Sequence, residues 1–296
     1  MTPRSDVRAA AAVIGATGSF LWCAHMNQPV QARKLDGQLR VIAVPALTDN
    51  YIWLLADRDG NALIVDPGDA APVLAALRRE HLVPAGVLLT HHHPDHIGGV
   101  PDLLARHPGL PVVAPHDVRI TTATRRVGEG DNVSFAAPRV AFDVIAIPGH
   151  TLSHIAFFGA GVVFAGDTLF SIGCGRLFEG TPAQMVASLD RLAALPGDTL
   201  LCCGHEYTAA NCAFALAIDA GNAALRQRAD DVRAARARGA ATLPADLAGE
   251  RAANPFLRID APALVAAAGA ALGADAAADR VARFAWLRQA KNDFRA

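Results

Sequence analysis

Four of the eleven histidines fall within six residues, in Thr90-His91-His92-His93-Pro94-Asp95-His96. The apolar run Val87-Leu88-Leu89 precedes them and Ile97-Gly98-Gly99 follows, so the cluster sits where a strand ends and a helix begins. Imidazole and carboxylate buried there without partners would be costly. A bound metal resolves that cost, and this donor set suits zinc, iron or manganese. The arrangement recurs downstream. The run 143–147 leads into Pro148-Gly149-His150, the run 162–165 into Gly166-Asp167-Thr168, and the run 199–202 toward Gly204-His205-Glu206. Each delivers a His or Asp at a strand's C-terminal end beside a glycine, where backbones approach closely and several strand ends can converge. His91, His93, Asp95, His96, His150, Asp167 and His205 make seven donors. One tetrahedral zinc takes four, so seven suit two metals sharing one carboxylate, with ions ~3.5–4 Å apart as in two-metal hydrolytic sites. His92 and His154 read as supporting or structural residues, and His81, His107 and His116, without such flanks, as surface residues.

The elements that must carry these residues alternate between strand and helix up to about residue 114. Strands are expected at Val41–Val44, Tyr51–Ala56 and Ala62–Val65, the last two joined by the turn Arg58-Asp59-Gly60-Asn61. A helix is expected over 70–80, with Val73, Leu74 and Leu77 on one face, a buried strand at Val87–Leu89, and a second helix over 97–106. Strands then dominate: Val112-Val113, Val140–Ile147, Ile155–Phe158 and Val162–Ala165, with a helix over 182–195 and a strand at Thr199–Cys202. Beyond residue 205 only helices are expected, at 206–219, 221–238, 262–272 and 276–291, with loops around Leu243-Pro244 and Asn254-Pro255. The chain therefore divides into an N-terminal extension (1–38), a mixed, strand-rich domain (39–205) and a helical domain (206–296).

Composition narrows the class. The 296 residues are 52% apolar, enough for a sizeable core and inconsistent with a disordered chain. Charged residues are 19% with a formal net charge of -1, which excludes a strongly basic nucleic-acid binder. After residue 25 no run of ~18 apolar residues could span a membrane. Of 27 basic residues only Lys34 and Lys291 are lysines, and the surplus of arginine and alanine reads as a nucleotide-composition bias of the source genome. The five cysteines, Cys23, Cys174, Cys202, Cys203 and Cys212, form no C-x-x-C pair and no small disulfide framework, which fits free thiols in a reducing cytoplasm. Residues 1–24 sketch a signal peptide, with Arg4 and Arg8 before a small, apolar stretch. Thr17-Gly18-Ser19 interrupts that stretch and no A-x-A site follows, so an over-long start, with Met26 just ahead of the folded chain, is the favoured reading.

The motif T-H-x-H-x-D-H with the later Gly-His, Gly-Asp and Gly-His elements resembles the metallo-β-lactamase superfamily, as does Asp66-Pro67-Gly68. The stretches 166–170, 173–180 (Gly-Cys-Gly-Arg-Leu-Phe-Glu-Gly) and 204–208 (Gly-His-Glu-Tyr-Thr), with Asn254-Pro255-Phe256-Leu257-Arg258, are similar to glyoxalase II, the hydroxyacylglutathione hydrolases. The resemblance covers roughly residues 40–294. It implies an α/β (α+β) fold, a four-layered αβ/βα sandwich with metals at one sheet edge, followed by a C-terminal helical domain. It also implies the ligand sets: His91, His93 and His150 for one metal, Asp95, His96 and His205 for the other, and Asp167 as the bridge. Two divalent ions per chain are expected, zinc foremost, with iron or manganese as alternatives, and between them a hydroxide held by Asp95 and Asp167.

Bound metals make hydroxide available near neutral pH, so no Ser-His-Asp nucleophile is needed, and the chain has no Gly-x-Ser-x-Gly elbow. A thiolate of pKa ~8.5 leaves with little help from an acid, which is compatible with thioester cleavage. The resemblance implies hydrolysis of S-D-lactoylglutathione to glutathione and D-lactate, the second step of methylglyoxal detoxification. Glutathione carries two carboxylates, and family members hold its glycine end with cations near the C-terminus. Arg288 and Lys291 match that R-x-x-K pattern and, three apart on an expected helix, share a face. Arg176 and Phe178 stand where some members have lysine and tyrosine; arginine keeps the cation, whereas phenylalanine lacks the hydroxyl. Tyr207 matches a family tyrosine expected to contact the glutathione backbone, and Cys174 is read as structural. The expected partner is a small glutathione thioester, with no nucleic acid and no membrane, and the expected state a cytoplasmic monomer. Alternatives within the superfamily are a persulfide dioxygenase, a lactonase or a β-lactamase; outside catalysis, a metal-stabilised scaffold.

Overall fold

The computed structural model describes residues 32–35 and 38–295. The extension with its signal-like stretch, and Cys23, lie outside the described residues. The first sheet orders seven strands as they occur in the chain: β1 (Ala32–Lys34), β2 (Arg40–Ala46), β3 (Asn50–Ala56), β4 (Asn61–Val65), β5 (Val83–Leu88), β6 (Val112–Pro115) and β7 (Arg125–Val127). Strands β1 to β4 run antiparallel, and β4 to β7 parallel. The parallel steps need crossovers. Helix α1 (Ala70–Arg79), capped by Asp69, links β4 to β5, and α2 (Pro94–Ile97) with α3 (Val100–Arg106) link β5 to β6.

The second sheet contains β8 (Asn132–Ala136), β9 (Arg139–Ala146), β10 (Ile155–Gly159) and β11 (Val162–Gly166). The hairpin β12 (Leu169–Phe170) with β13 (Gly173–Cys174) and helix α4 (Pro182–Ala193) follow, and α4 opens on a capping box between Thr181 and Gln184. Strand β14 (Leu200–Cys203) then joins parallel to β11. The helical part comprises α5 (Thr208–Ile218), α6 (Ala223–Ala237), α7 (Leu247–Ala253), α8 (Pro262–Leu272), α9 (Ala274–Ala278) and α10 (Arg280–Asp293). Ahead of α7, β15 (Ala245–Asp246) completes the order β15-β14-β11-β10-β9-β8.

Strand alternation builds the layers. On the first sheet Ile42, Val44, Ile52, Leu54, Ile64 and Val87 face α1 and α3, burying Val73, Leu77, Val100 and Leu103. Their neighbours Val41, Ala43, Trp53, Leu55, Leu63 and Leu88 face the second sheet's Phe142, Phe157 and Phe164. A one-residue slip would exchange these two sets, so the register is strongly specified. Each large side chain buried this way contributes roughly 1.5–3 kcal/mol. The inter-sheet core continues unbroken into the helices through Phe214, Phe256, Phe284 and Leu287.

Four expectations need correction. The helix expected over 97–106 is two helices, because Gly98 and Gly99 make a close backbone contact: a Cβ on Gly99 would lie 2.5 Å from Ala70 N. The region beyond 205 is not purely helical, since β15 pairs with β14. It holds an additional helix, α7, and the stretch expected as 276–291 is divided where Asp279 caps α10. Strands β7 and β8 lack an apolar run: Arg125 and Arg126 fill two of three positions in one, and the other alternates exposed and buried residues.

Candidate metal centre

All seven donors converge at one edge of the two sheets. Three ring nitrogens meet in the first trio: His93 Nδ1 lies 3.1 Å from His91 Nε2 and 3.0 Å from His150 Nε2. The second trio is Asp95, His96 and His205, with His96 Nε2 3.5 Å and His205 Nε2 3.4 Å from Asp95 Oδ2. Asp167 stands between them. Its Oδ2 is 3.5 Å from His150 Nε2 and 3.2 Å from His205 Nε2, and its Oδ1 is 3.4 Å from His96 Nε2.

The backbone explains the convergence. His91 and His93 follow β5 directly, and Asp95 and His96 lie on α2, whose first residue Pro94 gives up no needed N–H. Asp167 follows β11 through Gly166, which adopts φ +48 and sits so close to Thr90 that a Cβ would be 2.3 Å from its hydroxyl. Gly204, ahead of His205, leaves no room for a Cβ either: it would be 2.5 Å from Asp167 Oδ1.

Partners on the far side of each ring fix which nitrogen is offered. His150 Nδ1 donates to the carbonyl of Arg176 at 2.9 Å, and a carbonyl can only accept, so Nε2 carries the lone pair. His96 Nδ1 donates to Asp66 Oδ2 at 3.1 Å and His205 Nδ1 to Asp49 Oδ1 at 2.8 Å. Asp66 also accepts from Thr90 N and Oγ1 at 2.8 and 2.7 Å, which makes it a hydrogen-bond anchor rather than a competing ligand in the Asp66, His91, His96 grouping. Asn50 donates to Asp95 Oδ2 at 3.0 Å. His154, fully buried, accepts the Asp167 N–H on Nε2 at 3.1 Å and stacks on His91 with centroids 4.5 Å apart.

Two polar atoms in the middle have no hydrogen-bond partner although fully buried: His96 Nε2 and Asp167 Oδ1. Such orphans are expensive unless something else coordinates them. Inward lone pairs, outward hydrogen bonds and orphaned atoms together fit a pair of cations.

Electrostatics divide the two trios. Burial, reinforced by neighbouring imidazoles, keeps His91 well below the usual histidine range and lowers His93 to about 4; burial also lowers His150. These three are neutral and ready to ligate. Burial opposes charge on His96 as well, but Asp167 and Asp66 outweigh it and push His96 up to about 10; against the same burial, Asp167 and Asp49 hold His205 well above the usual histidine range. Asp167 is held well below the carboxylate range because His205 and His96 outweigh its burial.

The site opens into a cavity of about 530 Å³ whose walls include Arg176, Phe178, Tyr207, Arg288 and Lys291. Phe178 is 63% exposed and lies edge-on to His93 and His150, at 5.6 and 5.2 Å. Its loop is pinned by Glu179, which pairs with Arg119 at 2.6 Å and accepts from Leu152 N. Tyr207 stacks flat on His205 at 4.7 Å, so packing and cavity lining coexist in one ring. Lys291 donates to Ala210 O at 3.2 Å, and burial together with Arg288 and Arg176 lowers its ammonium to about 8. Arg288 differs from a solvated helix end in being buried. Among the remaining histidines, His92 turns toward Asp117 and Glu179, and His81 and His116 are exposed; His107 is half-buried. Cys174, Cys202, Cys203 and Cys212 are free and buried. Asp49 and Asn50 carry no signal in the sequence; Asp66 and Thr90 belong to the Asp66-Pro67-Gly68 and T-H-x-H-x-D-H motifs, which do not reveal their part as supports.

Comparison with known proteins follows the same division. Residues 47–205 match the model of the metallo-beta-lactamase superfamily, and residues 206–294 that of the hydroxyacylglutathione hydrolase C-terminus. The chain is 55% identical over 258 residues to a hydroxyacylglutathione hydrolase of Xanthomonas axonopodis pv. citri (strain 306), covering 87% of this chain and 100% of that one. It is 53% identical over 256 residues to the corresponding protein of Xylella fastidiosa (strain M23), covering 86% and 98%. Among solved structures, the BLEG-1 B3 metallo-beta-lactamase shares the fold with a TM-score of 0.56 at 24% identity, over 73% of this chain and 99% of that one. ETHE1 from Myxococcus xanthus gives a TM-score of 0.53 at 25% identity, over 78% and 89%.

Proposed function

The chain belongs to the hydroxyacylglutathione hydrolases (glyoxalase II) of the metallo-β-lactamase superfamily, and from that premise we propose which side chains carry the hydrolysis. The reaction is cleavage of an S-(2-hydroxyacyl)glutathione, with S-D-lactoylglutathione giving glutathione and D-lactate. One observation carries the assignment of roles: two donor trios share the Asp167 carboxylate at the floor of a cavity whose wall holds Arg176 and Lys291.

His91, His93 and His150 would hold one divalent ion, Asp95, His96 and His205 the other, and Asp167 both, with zinc the metal proposed. When bound, such a pair supplies Lewis-acid polarisation and a hydroxide nucleophile near neutral pH. The chain's own contribution is placement. Asp49, Asp66 and the Arg176 carbonyl aim the imidazoles inward, and Asn50 turns Asp95. Lys291 and Arg176 draw the carboxylates of the glutathione moiety toward the helical wall, Arg288 lines that wall, and Phe178 and Tyr207 flank the tripeptide. This orients the thioester carbonyl toward the trios, where proximity lowers the barrier.

We take residues 39–205 as the catalytic unit and 206–296 as the substrate-binding unit; the two family matches meet at that boundary. One chain supplies both trios and the cavity, which supports a monomer as the acting unit. No described helix is long and apolar enough to cross a membrane, and buried free thiols support a cytoplasmic setting.

The deciding experiment measures turnover of S-D-lactoylglutathione and other glutathione thioesters, with metal analysis on the same sample. Two ions per chain and rapid thioester cleavage are expected. A single iron with oxygen uptake, or fast cleavage of a lactone with none of the thioester, would overturn the assignment.

A further inference from the structure

Buried polar side chains from the helical part hold the backbone of the hairpin 169–174. Asn211 of α5 donates to Ser171 O at 3.0 Å, and Asn254, just after α7, donates to Phe170 O and Gly173 O at 3.1 Å each. Glu250 of α7 accepts from Ile172 N at 2.7 Å. Arg288 of α10 completes the set: its Nη1 donates to Cys174 O at 2.7 Å.

Arg288 grips the end of the hairpin that leads to the metal ligands. One residue on, Gly175 packs against Asp167 and His150 so tightly that a Cβ would lie 1.9 Å from Asp167 O and 3.3 Å from His150 Nδ1. Two residues on, the Arg176 carbonyl accepts the His150 Nδ1–H. Arg288 is 6% exposed, its guanidinium lies 5.2 Å over the Phe256 ring, and its Nη2 donates to Asn292 at 3.1 Å. Only Nε has no partner. Each Nη carries two N–H groups, so Nη1 and Nη2 each spend one of two on the protein, which fixes the plane of the guanidinium. Lys291, by contrast, has one of its three donors on Ala210 O.

We propose that Arg288 is a positioning residue for His150: through its bond to the Cys174 carbonyl it holds the Cys174–Arg176 turn that orients this imidazole. The proposal deepens the hydrolase reading and rests on it for its kinetic arm; its metal-retention arm does not.

The test compares zinc-loaded wild type with R288A, R288Q and K291A on two thioesters, S-D-lactoylglutathione and S-D-lactoyl-γ-glutamylcysteine, which lacks the glycine carboxylate. Zinc release to a chelator is timed on the same samples. R288A is expected to release zinc ~10–100-fold faster, the usual effect of losing a support behind a ligand, and to lose kcat equally on both substrates. R288Q keeps an N–H donor for the Cys174 carbonyl but no charge, so it should restore zinc retention and kcat, with any effect of the lost charge confined to KM. K291A should raise KM for the glycine-bearing thioester alone and hold zinc normally. If R288A and R288Q both retain zinc and raise KM only for the glycine-bearing thioester, Arg288 is a carboxylate clamp and the proposal fails. Should R288A not fold, R288Q decides, because it separates donor from charge. A wild type that cleaves neither thioester would count against the hydrolase reading, and the zinc-release comparison would still decide the role of Arg288.

Discussion

Asp49 and His205 are joined by a 2.8 Å hydrogen bond between carboxylate Oδ1 and imidazole Nδ1, across 156 positions of sequence. The backbone seconds the contact, since Glu206 N donates to Asp49 O at 2.8 Å. The turn between β2 and β3 thereby sets the ring orientation of His205, the last of the seven donors. Asp49→Ala should weaken metal retention at the second trio ~10–100-fold. Asp49→Asn keeps an acceptor oxygen and should lose less. Metal content after dialysis against graded chelator reads this directly, and wild-type retention in Asp49→Ala would show the contact to be incidental.

Gly204 faces the bridging carboxylate with no spare volume. A methyl there would sit 2.5 Å from Asp167 Oδ1 and 2.6 Å from His96 Cε1. Overpacking of this kind costs about 1–3 kcal/mol, so Gly204→Ala should fold with a modestly lower Tm. The larger effect should be on chemistry: a ligand displaced by about 1 Å can cost on the order of 100-fold in rate. The expected result is fewer than two ions per chain and a matching loss of kcat. Full metal content with full activity would mean that the loop yields without moving Asp167.

The difference between what the sequence shows and what it hides is physical. The convergence of the seven donors is legible because each stands at the C-terminal end of an apolar run beside a glycine or within the histidine cluster, a pattern that burial alone would penalise. Their supports are not. Asp49 ends a turn and Asn50 opens β3, with nothing to mark either until the fold brings them beside His205, and His154 reveals its role only through a 3.1 Å contact with the Asp167 N–H. The two layers of core were readable from period-two alternation in β2 to β4, whereas β15, two residues long at a sheet edge, has no periodicity to read. Arg288 illustrates the limit best: its spacing from Lys291 is visible in the sequence, but not that its Nη1 bonds to the Cys174 carbonyl.

Lys291 gives the cavity wall a pH dependence. Burial, with Arg288 and Arg176 nearby, lowers its ammonium to about 8. Below that pH the group is cationic and attracts carboxylate; above it the charge is lost. kcat/KM for S-D-lactoylglutathione, which reports the free enzyme, should therefore fall as pH rises past about 8. The fall in kcat should come later, because a bound carboxylate stabilises the ammonium. Lys291→Arg should flatten this limb, since a guanidinium stays charged. A limb unchanged in Lys291→Arg would assign it to another group.

Phe178 offers a gain rather than a loss. Its ring stands edge-on over His93 and His150, 63% exposed at the mouth of the cavity, and its backbone N–H is fixed to His150 O at 3.2 Å. The Arg119–Glu179 pair holds the same loop, so a substitution at 178 should not move the ligands. Glyoxalase II members with tyrosine at the matching position carry a hydroxyl that this chain lacks. Phe178→Tyr adds one donor at the wall where the tripeptide is proposed to lie. A hydrogen bond contributes ~0.5–1.5 kcal/mol net, so KM for S-D-lactoylglutathione should fall ~2–10-fold while kcat and metal content hold. Steady-state kinetics across the two proteins decides it. An unchanged KM would remove position 178 from the substrate contacts and leave Phe178 as an apolar cover for the first trio.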